Sequence, residues 1–187
     1  MSVRMLTRRG LAGLVATLAL SALTTLTAVS PAQAEPAPRQ AASAHGWSPY
    51  RTPPFELAAG LRCPFALSGT PVRDRERIRT LATFADGTPR IQEIAGPLVV
   101  RYTNLDSGRS VRRNLTGRAL VTYGADGSFV ETLEQGHFAV GLSATDPGGP
   151  GFFVLTGRGF RLSVAADGSR ILSLGTGRVE NLCTTLA

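Results

Sequence analysis

Arg73, Arg75, Arg77 and Arg79 alternate with Asp74, Glu76 and Ile78. Alternate residues of a β-strand point to one face about 6.6 Å apart. A strand here therefore lines up four guanidinium groups. Guanidinium holds carboxylate and phosphate through a planar fork, so the row fits a polyanion such as a phosphate-bearing wall polymer. The same residues also read as a solvated strand face of mixed charge, and a helix over 72–80 would scatter them.

A second group could orient a ligand rather than bind a surface. Tyr102 shares a strand face with Leu98 and Val100, Tyr123 with Ala119 and Val121, and Glu131 with Phe129 and Leu133. Phenol and carboxylate groups on apolar faces fix the orientation of a small molecule in an otherwise apolar pocket. They read equally as rim residues or satisfied core groups. A kink or bulge in a strand flips the alternation, so the faces stay open at this stage.

Catalytic signatures are absent. The chain holds no G-x-S-x-G, H-E-x-x-H or C-x-x-C motif, and its glycine pairs lie in strand-like segments with no helix behind them. The histidines are His45 and His137, too few for a zinc site with three or four convergent ligands. No metal, cofactor or nucleic-acid partner is expected.

The first 34 residues read as a secretory signal peptide: Arg4, Arg8 and Arg9, an apolar run from Leu11 to Leu26, then Ala32-Gln33-Ala34. Cleavage is expected after Ala34. The general secretory route is favoured, and Arg8-Arg9 leaves the twin-arginine route open. The apolar run is too short for a good membrane span. The formal net charge is +7; three of those charges fall in residues 1–34, which hold no acid, leaving +4. Such a charge bears on solubility and hints at an anionic partner. Cys63 and Cys183 are the two cysteines, and in an exported chain they should pair.

The elements that must position these groups are marked by a turn rhythm. Asp86-Gly87, Asp126-Gly127 and Asp167-Gly168 recur at 40 and 41 residues. Asp-Gly between β-rich runs predicts a type I′ hairpin turn. Longer Gly-containing breaks, 104–109 and 144–151, alternate with them, and the second would sit as a lid or long turn at one mouth. Between turns sit Gly96, Gly117, Gly136, Gly157 with Gly159, and Gly175 with Gly177. They read either as turns between many strands of eight residues or, the preferred reading, as kinks within strands of about 15, which lets a sheet bend. This gives seven strands, 61–69, 72–85, 88–103, 109–124, 128–143, 151–165 and 169–183. Residues 35–60 form a Pro/Ala-rich flexible leader whose Trp47, Tyr50 and Phe55 are expected to lie on the folded body. Residues 61–187 are the β-domain.

The expected fold is all-β, an antiparallel up-and-down meander closed as a barrel, with a β-sandwich as the alternative. The Cys-Pro-Phe start at Cys63, the Leu-Thr-Gly-Arg at 115–118 and the closing Gly-Thr-Gly-Arg-Val-x-x-Leu-Cys ending at Cys183 resemble small secreted actinobacterial proteins with no assigned activity. At the level of fold alone, the expected barrel is similar to allene oxide cyclase and dirigent barrels. Three functions remain open: an extracellular protein binding a small apolar ligand, a protein binding an anionic surface polymer, and a cofactor-free cyclase or isomerase.

Overall fold

The computed structural model describes residues 46–187. The expected signal peptide, its cleavage site, the leader up to residue 45 and His45 lie outside the described residues. The described chain forms twelve strands and one short helix: β1 (Ser48–Pro49), β2 (Phe55–Leu57), β3 (Leu67–Asp74), β4 (Arg77–Thr83), β5 (Pro89–Gly96), β6 (Leu98–Asn104), β7 (Ser110–Asn114), β8 (Gly117–Tyr123), β9 (Phe129–Leu142), β10 (Gly151–Val164), β11 (Arg170–Ser173), β12 (Thr176–Asn181) and α1 (Leu182–Thr185).

The turn rhythm appears where the sequence puts it, but in another turn type. Gly87, Gly127 and Gly168 have φ of +87°, +80° and +83°. Their N–H groups donate to Phe84, Gly124 and Ala165 O, so glycine is the last residue of each turn rather than its third. This is the three-residue loop with a bulged glycine, not type I′. The aspartate drives the choice. Asp86, Asp126 and Asp167 each accept from the backbone N–H and the hydroxyl two residues on, at 2.6–3.0 Å. Those bonds hold all three carboxyls below the usual carboxylate range.

The mid-strand glycines form a single row. Gly96 pairs with Gly117, Gly117 with Gly136, Gly136 with Gly157, and Gly157 with Gly177. Five strands thus put glycine at the same level, side by side. Gly136 has φ +99°, and a Cβ there would stand 2.8 Å from the Gly117 Cα. A Cβ on Gly157, at φ +150°, would overlap the Thr176 carbonyl. The backbones touch along this row, and side chains are excluded from it.

At or near this row the early strands change sheets. The chain passes from β3 to β4 through Arg75 and Glu76, from β5 to β6 at Gly96-Pro97, and from β7 to β8 through Leu115 and Thr116. Strands β2, β3, β6 and β7 form a four-stranded sheet in the order β2-β3-β6-β7. The other strands run β1-β4-β5-β8-β9-β10-β11, with β12 also paired to β10. Every pairing is antiparallel. Among the described residues no ladder closes either sheet, so the expected barrel does not form. The meander creases at its glycines and folds onto itself, as the sandwich alternative allows. The expected break between 69 and 72 is also absent. Strand β3 runs through it, and Pro71 sits at a register shift in the β3–β6 pairing, where its missing N–H is tolerated.

The two sheets share a core. Leu67, Leu98, Val100 and Tyr102 of the small sheet pack with Phe152 and Val154 of β10 and with Leu182 and Leu186 at the C-terminus. Cys63 and Cys183 form a disulfide across 120 residues, which fastens the segment before β3 to α1. Asn104 is buried and donates from Nδ2 to Leu186 O at 3.0 Å, tying the same end of the chain to β6. Residues 46–57 add a short strand to an edge of each sheet: β1 on β4 and β2 on β3.

The disulfide and the glycine row set two expectations for stability. Replacing both cysteines by serine is expected to lower unfolding free energy by up to ~4–5 kcal/mol, the loop-closure figure for a ring of this size, read by urea denaturation. Gly157→Ala is expected to cost about 3 kcal/mol or more, because strain and backbone overlap combine. Gly168→Ala, also at positive φ but with nothing within 4 Å of its Cβ, is expected to cost only ~1–2 kcal/mol. Equal costs in the two variants would contradict the close-packed glycine row.

Candidate functional site

A cavity of about 440 Å³ lies between the sheets. The small sheet lines it with Leu98, Val100 and Tyr102, the large sheet with Ile94, Val121, Tyr123, Phe129 and Phe138. Tyr50, Thr52 and Phe55, on the segment that joins the two sheet edges, complete the wall. The ring of Phe55 fills the space a Cβ on Gly69 would need, and it stacks on Phe152 at 5.5 Å between centroids.

Two carboxylates line this cavity. Glu134 comes from β9 and Glu76 from the corner between β3 and β4. Glu134 accepts from the Thr132 hydroxyl at 3.0 Å, Glu76 from the Thr52 hydroxyl at 2.5 Å. Burial pushes the Glu134 carboxyl up to about 7, against the Thr132 bond, and the Glu76 charge adds to the rise. Glu76 is raised by burial and by Asp74, again against its threonine bond. Burial also raises Tyr50 and Tyr123, with the charges of Glu76 and Asp74 acting on Tyr50 and Tyr50 acting on Tyr123. Tyr102, fully buried, is raised by burial alone. His137 lines the wall with its Nδ1 3.0 Å from the Thr156 hydroxyl.

Of the three pocket residues expected from the sequence, Tyr102 and Tyr123 meet in the cavity and Glu131 stands outside it, 3.6 Å from Arg161. The cause is a bulge next to the second Asp-Gly turn. Thr122 pairs with Glu131 but Tyr123 pairs with Phe129, so Val130 has no partner on β8. Phe129 therefore faces inward together with Thr132 and Glu134. Counting alternation outward from Gly136, rather than inward from the turn, selects Glu134. Glu76 was hidden within the arginine alternation, and no sequence signal marked it.

The four arginines are divided between two strands of two sheets and the corner that joins them. Arg73 lies on β3, Arg75 in the corner, and Arg77 and Arg79 on β4. Arg79 is committed elsewhere: its guanidinium bonds Glu93 at 2.5–2.6 Å and stacks on Trp47 at 4.6 Å. Glu93 is buried on the face away from the cavity and also pairs with Arg118. Arg77 donates to Trp47 O at 3.3 Å. Trp47, Tyr50 and Phe55 all lie on the folded body, as expected.

The loop 144–151 contributes nothing to the cavity wall. Asp146 pins it, accepting from Ser143 N and Oγ and from Arg170 N at 2.6–2.7 Å. These bonds hold its carboxyl down at about 2. Among the described residues no group of three or more His, Cys, Asp or Glu side chains is placed to hold a metal ion. No helix among them is long and apolar enough to cross a membrane.

The raised carboxyl at Glu134 has a consequence for stability. Between the ordinary carboxylate range and pH 7 the native state keeps a proton that the unfolded chain has released. Stability is therefore full below that range, falls as pH rises to about 7 and is level above it. Glu134→Gln is expected to be more stable than the parent at pH 8, on the order of 2–3 kcal/mol, and to match it at pH 4. Thermal melts across this range check the prediction; a constant gap at every pH would refute it. Comparison of the chain with protein-family models, with curated proteins and with solved structures finds no match.

Proposed function

We propose that this protein is an exported, non-catalytic binding protein that holds a small, largely apolar ligand between its two sheets. The observation that carries the reading is the cavity itself. Its volume, about 440 Å³, lies in the range of small-molecule sites, and its wall has the usual makeup of such sites, mostly apolar and aromatic with a few convergent polar groups. The disulfide and the signal-peptide pattern support an oxidising, extracellular setting.

One observation favours a second reading, cofactor-free proton transfer of the cyclase or isomerase kind. A carboxyl poised at about 7 in a cavity that a buried tyrosine also lines is a fit general acid or base. Glu134 would fill that role.

Native mass spectrometry of the secreted protein tests occupancy. An added mass that leaves on unfolding is expected; a product differing from the ligand supplied would favour the enzyme. Binding of the neutral fluorophore N-phenyl-1-naphthylamine gives a second readout. Ala119→Trp, which places a large ring at the cavity wall, is expected to weaken that binding at least tenfold. Unchanged binding would put the fluorophore elsewhere and count against the cavity.

A further inference from the structure

The chemistry of the wall narrows the ligand class. We propose that the ligand carries a protonated amine on an apolar body, and that Glu134 and Glu76 together hold the ammonium group. This assignment rests on the cavity-binding reading.

Charge at the wall supports it. The titratable and charged residues that line the cavity with Glu134 are His137 on its own strand, Tyr123 and Arg118 on β8, Tyr102, Glu76 and Tyr50, and Asp74 adds its charge at Glu76. Among the described residues Arg118 is the one permanent cation in the wall, and its guanidinium is taken by Glu93 on the other face of the sheet. Two carboxylates are thus left facing an apolar space with no cation committed to them. The Glu76 charge adds to the rise at Glu134. Two negative groups sharing one site are relieved by a proton or by a cation between them.

Geometry points the same way. Each carboxylate uses one threonine hydroxyl, and a carboxylate accepts about four hydrogen bonds. An ammonium group has three donors to distribute. Tyr50, Tyr123 and Phe129 line the same cavity, and their π-faces attract cations. Leu98, Val100, Leu115 and Phe152 line the rest of the space, where an alkyl or aryl body would lie. A carboxylate-headed amphiphile of the same length would meet two like charges.

The test uses ligands that differ only in their head group. Octylamine, octanol and octanoate compete for N-phenyl-1-naphthylamine on the purified protein at pH 8. Octylamine is expected to displace the fluorophore at a concentration at least tenfold below octanol, and octanoate to be the weakest. Lowering the pH to 5.5 protonates Glu134, while the amine stays charged. The preference for octylamine over octanol should then shrink several-fold. Glu134→Gln should lose the same preference at pH 8, and Glu131→Gln, outside the cavity, should keep it. Glu76→Gln serves if the Glu134 variant does not fold, and the pH series needs no variant.

Displacement by octanol or octanoate at least as good as by octylamine would overturn the amine assignment and leave the cavity reading standing. Equal preference at pH 5.5 and pH 8 would overturn the role of Glu134. If the fluorophore does not bind at all, the cavity reading fails and the amine assignment fails with it.

Discussion

The close contact of five backbones along the glycine row governs the rest of the structure. Gly96, Gly117, Gly136, Gly157 and Gly177 stand side by side on five strands. A side chain at this level would strike a neighbouring backbone, so no side chains prop the sheet open there. A sheet bends where glycine lets it. With the glycines in register, bends on separate strands add into one crease. The same constraint accounts for the glycine of the repeated Thr-Gly-Arg at 116–118, 156–158 and 176–178.

The crease decides where chains go. Early in the meander the strand halves on one side of it separate and pair with each other, giving β3, β6 and β7 their own sheet. Strands β9 and β10 run through the crease unbroken for 14 residues each and carry both halves of the molecule. Two sheets that diverge from a shared line leave space between them. Large aromatics fill part of that space, and Phe55, Tyr102 and Phe152 pack at centroid distances of 5.3–6.3 Å. The rest is the cavity. Its polar groups sit near strand irregularities: Glu76 at the sheet corner, Tyr123 at the β8–β9 bulge, His137 beside Gly136.

Charge is sorted by the same architecture. On the outer faces Glu93 gathers Arg79 and Arg118, and Glu180 holds Arg113 at 2.5–2.7 Å. Two glutamates lie inward, each on a threonine hydroxyl. Ionising a carboxyl inside such a site costs stability, which is tolerated when the group serves recognition. The strap of residues 46–57 covers this side and is itself fastened to the acidic corner. Thr52 N donates to Asp74 at 2.8 Å, and Tyr50 N donates to Glu76 O at 3.0 Å.

Local signals were legible in the residues alone. Strand and turn positions, the glycine kinks and the cysteine pair depend on φ preferences, side-chain periodicity and redox logic, which belong to short stretches of chain. The strands expected over 88–103, 109–124, 128–143, 151–165 and 169–183 each correspond to one strand or to a creased pair. The expected break between 61–69 and 72–85 failed because Pro71 reads as a turn residue, and only its place at a register shift shows why a strand accepts it. Partition into two sheets was not legible, because it depends on which strand each half-strand finds as a neighbour. The face of Glu131 was lost for a related reason: one unpaired residue, Val130, reverses every side chain beyond it, and only the register with β8 reveals it. The arginine row dissolved because its strand changes sheets midway. The sequence by itself therefore determined the all-β class, the turn rhythm and the covalent staple. Tertiary pairing alone decided the crease, the cavity and which carboxylates face it, since inward and outward are defined only once a second sheet is present.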